Sequence, residues 1–358
     1  MLRTDVNSKL ANVPILIIVI ILAYCLLRYP DTVSSGIKEG LYLCSGVIIP
    51  SLFPFMVLSS FLIKSDLCAK FAHIFEPFTR TIFKLPGCTA VVIFMSLIGG
   101  FPIGAKMTYE MFESHQITMS QAKRMMYFCI NAGPAFVINA VGFTMLGSSK
   151  AGVIIFASLC ITSVVVGIVT SFTENDDTDC NMLSAPLLNV KKNIANAVTE
   201  SASDAAQAIF SVCVWVILFS CFGSLISLAP ISDNASAIIK CFLEVTSGCK
   251  AASGTLGIPA VAFVLGWSGF CVQFQILQYI QGVGLGFMKF ILSRLISATV
   301  SLFICNQLLR VFPCEVQTFS SNALAFDAVF SVSAPAAAAL LFMSAVLILD
   351  LDTKRKMC

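Results

Sequence analysis

Long runs without a charged residue are the feature that most constrains this chain. A helix needs about 20 consecutive apolar residues to cross the hydrocarbon core of a membrane. The sequence contains several uncharged runs of about that length, at positions 41–63, 85–105, 125–149, 151–173, 205–232, 251–288 and 328–349, and two shorter or interrupted ones at 13–27 and 290–309. We therefore predict an all-α polytopic membrane protein.

The composition excludes several other classes. Hydrophobic residues make up 58% of the chain and charged residues 11%, and the mean hydropathy is +0.91, which is far more apolar than a soluble protein. The net charge is only +3, and the charged residues lie mainly between the apolar runs, so no basic face for nucleic acid is predicted. The 15 cysteines include no C-x-x-C pair and the two histidines are far apart, which predicts neither a metal site nor a cofactor.

The first apolar run, 13–27, allows two interpretations. It follows Arg3 and Lys9, as the apolar part of a signal peptide would. Tyr24, however, is too large for the residue before a cleavage point. We therefore favour an uncleaved first span.

A polar stretch in mid-chain, rich in charges from Glu174 to Lys192, divides the sequence into halves of similar size. We predict an N-terminal span at 1–35, a first repeat at 36–172, a polar linker at 173–197, a second repeat at 198–349 and a basic tail at 350–358. Each repeat contains a glutamate followed by a Gly-Phe pair: Gly100 lies 24 residues after Glu76, and Gly269 lies 25 residues after Glu244.

Glycine interrupts the apolar run in both repeats, together with Pro102 at 99–104 and without proline at 266–269. Broken backbone at membrane depth is tolerated only where it lines a cavity or is buried in protein. Such residues also let helices pack closely, which is the simpler explanation for one break. Because the two breaks are in register, we predict inverted repeats related by an axis in the membrane plane, with both breaks lining one shared cavity.

The positions of the termini are left open. Inverted repeats plus a first span give an odd number of crossings and place the termini on opposite faces. Both termini are basic, with Arg3 and Lys9 at one end and Lys354, Arg355 and Lys356 at the other, and the positive-inside rule places both in the cytoplasm.

Glu244 is the first candidate for a site in the second repeat. It has Thr246 close by and Ser268 at the following break as neutral companions. A carboxylate there can bind a coupling cation, carry a proton or hydrogen-bond a substrate. A salt bridge with Lys240 or Lys250 is the structural alternative.

Gln273, Gln275 and Arg294 complete the candidates of the second half. Gln273 and Gln275 are two residues apart and cannot face the same side of one helix, so we expect one of them at a central site. Arg294 interrupts the run 290–309 and suits a carboxylate ligand, although its long stem can instead carry the charge to the membrane interface.

The candidates of the first half surround its own break. Gly100 and Pro102 force the interruption, and a helix that restarts after Pro102 presents free N–H groups that suit an anion. Lys106, one turn further, adds positive charge, and Asn131 offers a neutral donor. For Glu76 we favour a salt bridge with Arg80 at helical spacing.

Over residues 36–310 the chain resembles the sporulation integral membrane proteins of endospore-forming bacteria, whose members contain paired nucleoside-recognition or gate repeats. The resemblance rests on these segments: Glu76-Pro77 with Arg80, Pro86-Gly87, Gly100-Phe101-Pro102-Ile103-Gly104-Ala105-Lys106, Asn131-Ala132-Gly133-Pro134, Leu243-Glu244-Val245-Thr246-Ser247-Gly248, and Ser268-Gly269-Phe270 with Gln273 and Gln275. Where that family usually has Ser-Gly-Tyr-Pro, this chain has Gly99 and Phe101 and so lacks both hydroxyls.

The resemblance implies a fold similar to concentrative nucleoside carriers and transport of dipicolinate across the outer forespore membrane. A nucleoside-type permease and a structural membrane protein of spore assembly are the alternatives. An enzyme is least favoured, because the sequence has no convergent catalytic set. The expected partners are a small anionic substrate, membrane lipid and a coupling cation or proton, and homo-oligomer formation is left open.

Overall fold

The computed structural model describes residues 20, 23–64, 75–173, 194–228 and 230–314. Most of the predicted first span, most of the linker, the run 328–349 and both termini lie outside these residues. The described residues form helices and connecting turns, with no strand among them.

The α-helices are short in the middle of each half and long elsewhere. In chain order they are α1 (Pro30–Leu43), α2 (Ile49–Lys64), α3 (Thr89–Gly99), α4 (Ile103–Glu113), α5 (Met119–Phe128), α6 (Ser149–Thr173), α7 (Ile194–Ile226), α8 (Asp233–Leu243), α9 (Val245–Thr255), α10 (Ile258–Trp267), α11 (Gly269–Gln275), α12 (Leu277–Gly282) and α13 (Phe287–Val311). In the part of the chain that the structure describes, three π-helical segments accompany them, at Cys44–Ile48, Thr79–Phe83 and Ala135–Met145.

Four helical stretches within the described residues are long and apolar enough to cross a membrane. They are Ser149–Phe172 in α6, Asn196–Ile226 in α7, Ile258–Gln275 across α10 and α11, and Phe287–Val311 in α13. The predicted class, an all-α polytopic membrane protein, is therefore confirmed.

The helices pack as two groups. In the first group, α7 packs along α1 and α2; in the second, α13 packs against α10 and α6. The second group also includes α9, which packs on α10, and the π-helical segment Ala135–Met145, which packs on α6. Each group combines elements from both halves of the sequence.

The run 85–105 does not form one span. Gly100 has φ +77°, a backbone conformation that favours glycine, and it ends α3; α4 then begins at Ile103 directly after Pro102. The predicted helix restart is thus present. Each of these helices has 11 residues, or about 16 Å at 1.5 Å per residue, which is roughly half the hydrocarbon thickness.

The run 251–288 does not form one continuous helix. It contains the end of α9 and then three short helices, because the chain is interrupted at Ser268 and again at Ile276. Ser268 is left-handed, with φ 67°, and this conformation ends α10 and redirects the chain into α11.

Each break packs against a second interruption of a helix. A Cβ added to Gly100 would lie 2.6 Å from the backbone nitrogen of Gly133, between α5 and the following π-helical segment. A Cβ added to Gly269 would lie 3.2 Å from Cα of Glu244, between α8 and α9. The superposition of 36–172 on 198–349 stays a prediction, since the end of the second range is not among the described residues.

Gly104 provides a test of the packing of α4 against residues 129–134. Its added Cβ would lie 1.8 Å from the carbonyl oxygen of Cys129, which is backbone and cannot move aside cheaply. Gly104→Ala is expected to lower the free energy of unfolding by about 2–3 kcal/mol, measured by thermal unfolding in detergent. Gly254→Ala is the control: nothing lies within 4 Å of its added Cβ, so the change should stay within about 1 kcal/mol. Equal stability of the two variants would contradict the close approach of Gly104 to Cys129.

Candidate functional site

A cavity of about 80 Å³ lies between the two groups of helices. On the side of the first group it is lined by α2 and α7, and on the side of the second by α9 and the segment Ala135–Met145. Its lining residues are Ile48, Leu52, Phe101, Gly133, Phe136, Val212, Val216, Glu244, Val245, Thr246, Cys271, Val272 and Gln275. Residues from both halves of the sequence therefore meet at this cavity.

The cavity wall is mainly apolar. The oxygen- and nitrogen-bearing side chains among its described lining residues belong to Glu244, Thr246 and Gln275. Glu244 is the charged one, and no lysine or arginine is among the described residues that line the cavity. A ligand would thus meet aliphatic and phenyl surface with a few polar groups on one side.

Glu244 caps the N-terminus of α9. Its extended backbone interrupts the path from α8 to α9, and its two carboxylate oxygens accept hydrogen bonds from the backbone N–H groups of Thr246 (2.8 Å) and Ser247 (2.6 Å). The side chain is buried, and the positive end of the helix stabilises its charge. Lys240, which the sequence offered as a salt-bridge partner, donates to Ser227 Oγ at 3.0 Å.

The two glutamines of α11 have different surroundings. Gln275 lines the cavity and its amide donates to Cys271 Sγ at 3.3 Å. Gln273 is fully buried away from the cavity lining and donates to the carbonyl of Trp267 at 3.1 Å. Ser268, also fully buried, donates to the same carbonyl at 2.6 Å. Gln273 and Ser268 thus satisfy the backbone at the break, and neither lies against the cavity.

In the first half, the break places Phe101 against the cavity, while Gly100 and Pro102 are buried beside it. Lys106 is not among the lining residues. Its ammonium donates to the backbone carbonyl of Asp204 on α7 at 3.2 Å and lies 3.7 Å from Glu110 Oε1. This cation therefore joins α4 to α7.

Asn131 and Arg294 lie together at a second, enclosed pocket of about 10 Å³, which shares no lining residue with the cavity. Asn131 donates to the carbonyl of Phe128 at 2.9 Å. Arg294 is only 3% exposed and donates to the carbonyl of Ile130 at 2.7 Å. Its guanidinium is therefore buried inside the protein, so the alternative of extension to the interface is wrong for this structure.

Some residues of this region carry no signal in the sequence. Val212 and Val216 lie four residues apart on one face of α7 and line the cavity, but in an apolar helix they resemble any residue that packs. Arg124 is almost fully buried and donates to the carbonyl of Phe83, although it belongs to a charged segment that suggests a surface.

The ion pair predicted between Glu76 and Arg80 is present at 2.7 Å.

The fold and the cavity define a polytopic membrane protein with helices interrupted around a cavity. Comparison with known proteins agrees with that class. The chain is 25% identical over 328 residues to the sporulation integral membrane protein YlbJ of Bacillus subtilis, and the match covers 81% of this chain and 80% of that protein. No family model matches the chain and no solved structure matches it.

The cap at Glu244 can be tested by its effect on stability. Glu244→Ala leaves two N–H groups in a buried place without their partner, so the free energy of unfolding should fall by about 1–3 kcal/mol. The control is Ser232→Ala, which removes the exposed cap of α8, where Ser232 accepts from Ala235 N at 3.4 Å; about 0.5–1 kcal/mol is expected there. Thermal unfolding measures both, and an equal or smaller loss at Glu244 would argue against the buried cap.

Proposed function

We propose that this chain is a membrane transporter that moves a small anionic metabolite, dipicolinate, across the outer forespore membrane during sporulation. The observation that carries the proposal is the cavity at which interrupted helices from both halves meet, with Phe101 and Gly133 from the first half and Glu244 and Thr246 from the second. Transporters commonly bind their substrates between interrupted helices, whose backbone groups serve as ligands. A protein with a purely structural role would have no need of such a cavity.

The cellular setting and the substrate rest on different supports. The similarity to YlbJ, which is named a sporulation integral membrane protein, supports a role in sporulation. The resemblance of the sequence motifs to the sporulation integral membrane proteins supports dipicolinate as the substrate and the outer forespore membrane as the location. No enzymatic activity forms part of the proposal.

The size of the cavity implies that transport requires movement. Sites for small molecules usually enclose about 300–1,000 Å³. At about 80 Å³, the cavity must widen before it can admit a metabolite. Because it lies between the two helix groups, their separation would widen it and open a path to one side of the membrane.

The charge in the cavity constrains how an anion would bind. Glu244 already occupies the N–H groups of Thr246 and Ser247, and no cationic side chain is among the described lining residues. A substrate carboxylate would compete with Glu244 for these donors at the positive end of α9. Protonation of Glu244, or its displacement towards a coupling cation, would remove the repulsion, which links substrate binding to a coupling ion.

A nucleoside-type permease is the second candidate. The cavity offers Phe101 and Phe136 as apolar surfaces for a planar ring, with the Gln275 amide and the Thr246 hydroxyl as neutral hydrogen-bonding groups. These features suit an uncharged planar ligand without any change at Glu244. Uptake of labelled dipicolinate and of labelled nucleosides into proteoliposomes would distinguish the two candidates.

The substrate is tested in spores from a strain that lacks this protein. We expect these spores to contain much less dipicolinate than spores of the parent strain, because the metabolite would not cross the outer forespore membrane. Total dipicolinate in the whole sporulating culture serves as the control for synthesis. A normal content in the mutant spores would exclude dipicolinate as the substrate while leaving transport of another metabolite open.

The role of Glu244 is tested with Glu244→Gln, which keeps the size and a hydrogen-bond acceptor but removes the charge. An amide can neither take up a proton nor bind a coupling cation, so the link between substrate binding and a coupling ion is lost and transport should fall roughly tenfold or more. Abundance in the membrane should remain near that of the parent. Glu76→Gln is the matched control, because Glu76 forms an exposed ion pair with Arg80. We expect the Glu76→Gln variant to transport normally. Normal transport by Glu244→Gln would eliminate Glu244 as a functional carboxylate.

A further inference from the structure

The enclosed pocket beside Arg294 is chemically distinct from the cavity. We call it the Arg294 pocket; its lining residues are Phe128, Ile130, Asn131, Leu159, Thr162, Ser163, Val166, Leu265, Gly266, Arg294 and Ser297. It lies between α6, α10, α13 and the chain that follows α5. No aspartate or glutamate is among these described lining residues.

Arg294 is incompletely satisfied in this pocket. One terminal nitrogen of the guanidinium donates to the carbonyl of Ile130 at 2.7 Å, whereas Nε has no hydrogen-bond partner among the described residues. The residue is only 3% exposed. A buried charge without an opposite charge costs several kcal/mol, and a missing hydrogen bond adds to that cost. The surroundings of Arg294 therefore favour a negatively charged ligand.

The pocket limits the size of that ligand. Its volume of about 10 Å³ leaves room for one small ion or one water molecule, so a carboxylate metabolite does not fit. Three hydroxyls line it, and each donates to a backbone carbonyl, that of Thr162 at 2.8 Å, of Ser163 at 2.7 Å and of Ser297 at 3.0 Å. Since a hydroxyl can rotate about its C–O bond, Thr162 and Ser297 are able to donate into the pocket instead.

We propose that the Arg294 pocket binds a single monatomic anion, chloride, which accepts hydrogen bonds from Arg294 Nε and from the hydroxyls of Thr162 and Ser297. A water molecule would fill the same space but would leave the guanidinium charge uncompensated. Bound chloride stabilises the junction between α13 and the carbonyl of Ile130, at the break after α5. This inference does not depend on the proposed transport function.

The test is thermal unfolding of the purified full chain in detergent, in chloride and in gluconate at equal ionic strength. Gluconate is too large for the pocket. We expect chloride to raise the unfolding temperature saturably, by about 3 °C or more, and bromide to replace it. An equal unfolding temperature in chloride and gluconate would overturn the proposal and leave the pocket with water at most.

Variants locate the effect. Arg294→Met should abolish the dependence of the unfolding temperature on chloride. Ser297→Ala should raise the half-saturating chloride concentration several-fold, and this variant provides the test if Arg294→Met does not fold. Ser301→Ala is the control: Ser301 is a buried serine of the same helix that donates to the carbonyl of Ala262 at 2.8 Å and does not line the pocket. Its chloride dependence should equal that of the parent. A dependence that survives unchanged in Ser297→Ala and in any folded Arg294→Met would place the anion elsewhere and refute the proposal.

Discussion

The hydrogen-bonding requirement of the backbone governs this structure. Within a membrane no solvent is available to an N–H or C=O group that an interrupted helix releases, so the protein must supply a partner. Glu244 supplies it for two N–H groups at the start of α9, Gln273 for the last carbonyl of α10, and Arg294 for the carbonyl of Ile130 after α5. At these three interruptions a polar side chain therefore pairs with backbone groups that the helix leaves free.

The same requirement explains how far the sequence could predict the site. Apolar runs indicate where helices cross, and residues such as Gly100 and Pro102 indicate where a helix ends, since both act through local backbone geometry. A polar residue inside an apolar run has two uses, however: it can contact a ligand or satisfy the backbone. Gln275 lines the cavity and Gln273 does not, and that difference depends on the direction of α11 after the left-handed Ser268, which no local pattern specifies.

The cavity and the Arg294 pocket contain charged side chains of opposite sign. The cavity contains the carboxylate of Glu244, whereas the Arg294 pocket contains a guanidinium, and the two share no lining residue. From the sequence, both residues were candidates for the same substrate. In the fold they interact with different helix ends, so the chemistry of the cavity is set by Glu244, Thr246 and Gln275 together with phenyl and aliphatic surface. The missing hydroxyl at Phe101 makes that surface more apolar still.

The two groups of helices do not coincide with the two halves of the sequence. In one group α1 and α2 pack on α7, and in the other α6 packs on α10 and α13, so each group joins elements from before and after the polar linker. Lys106 adds a further link of this kind, from α4 to the backbone of α7. A displacement of one group against the other would thus move parts of both halves as a single mechanical unit.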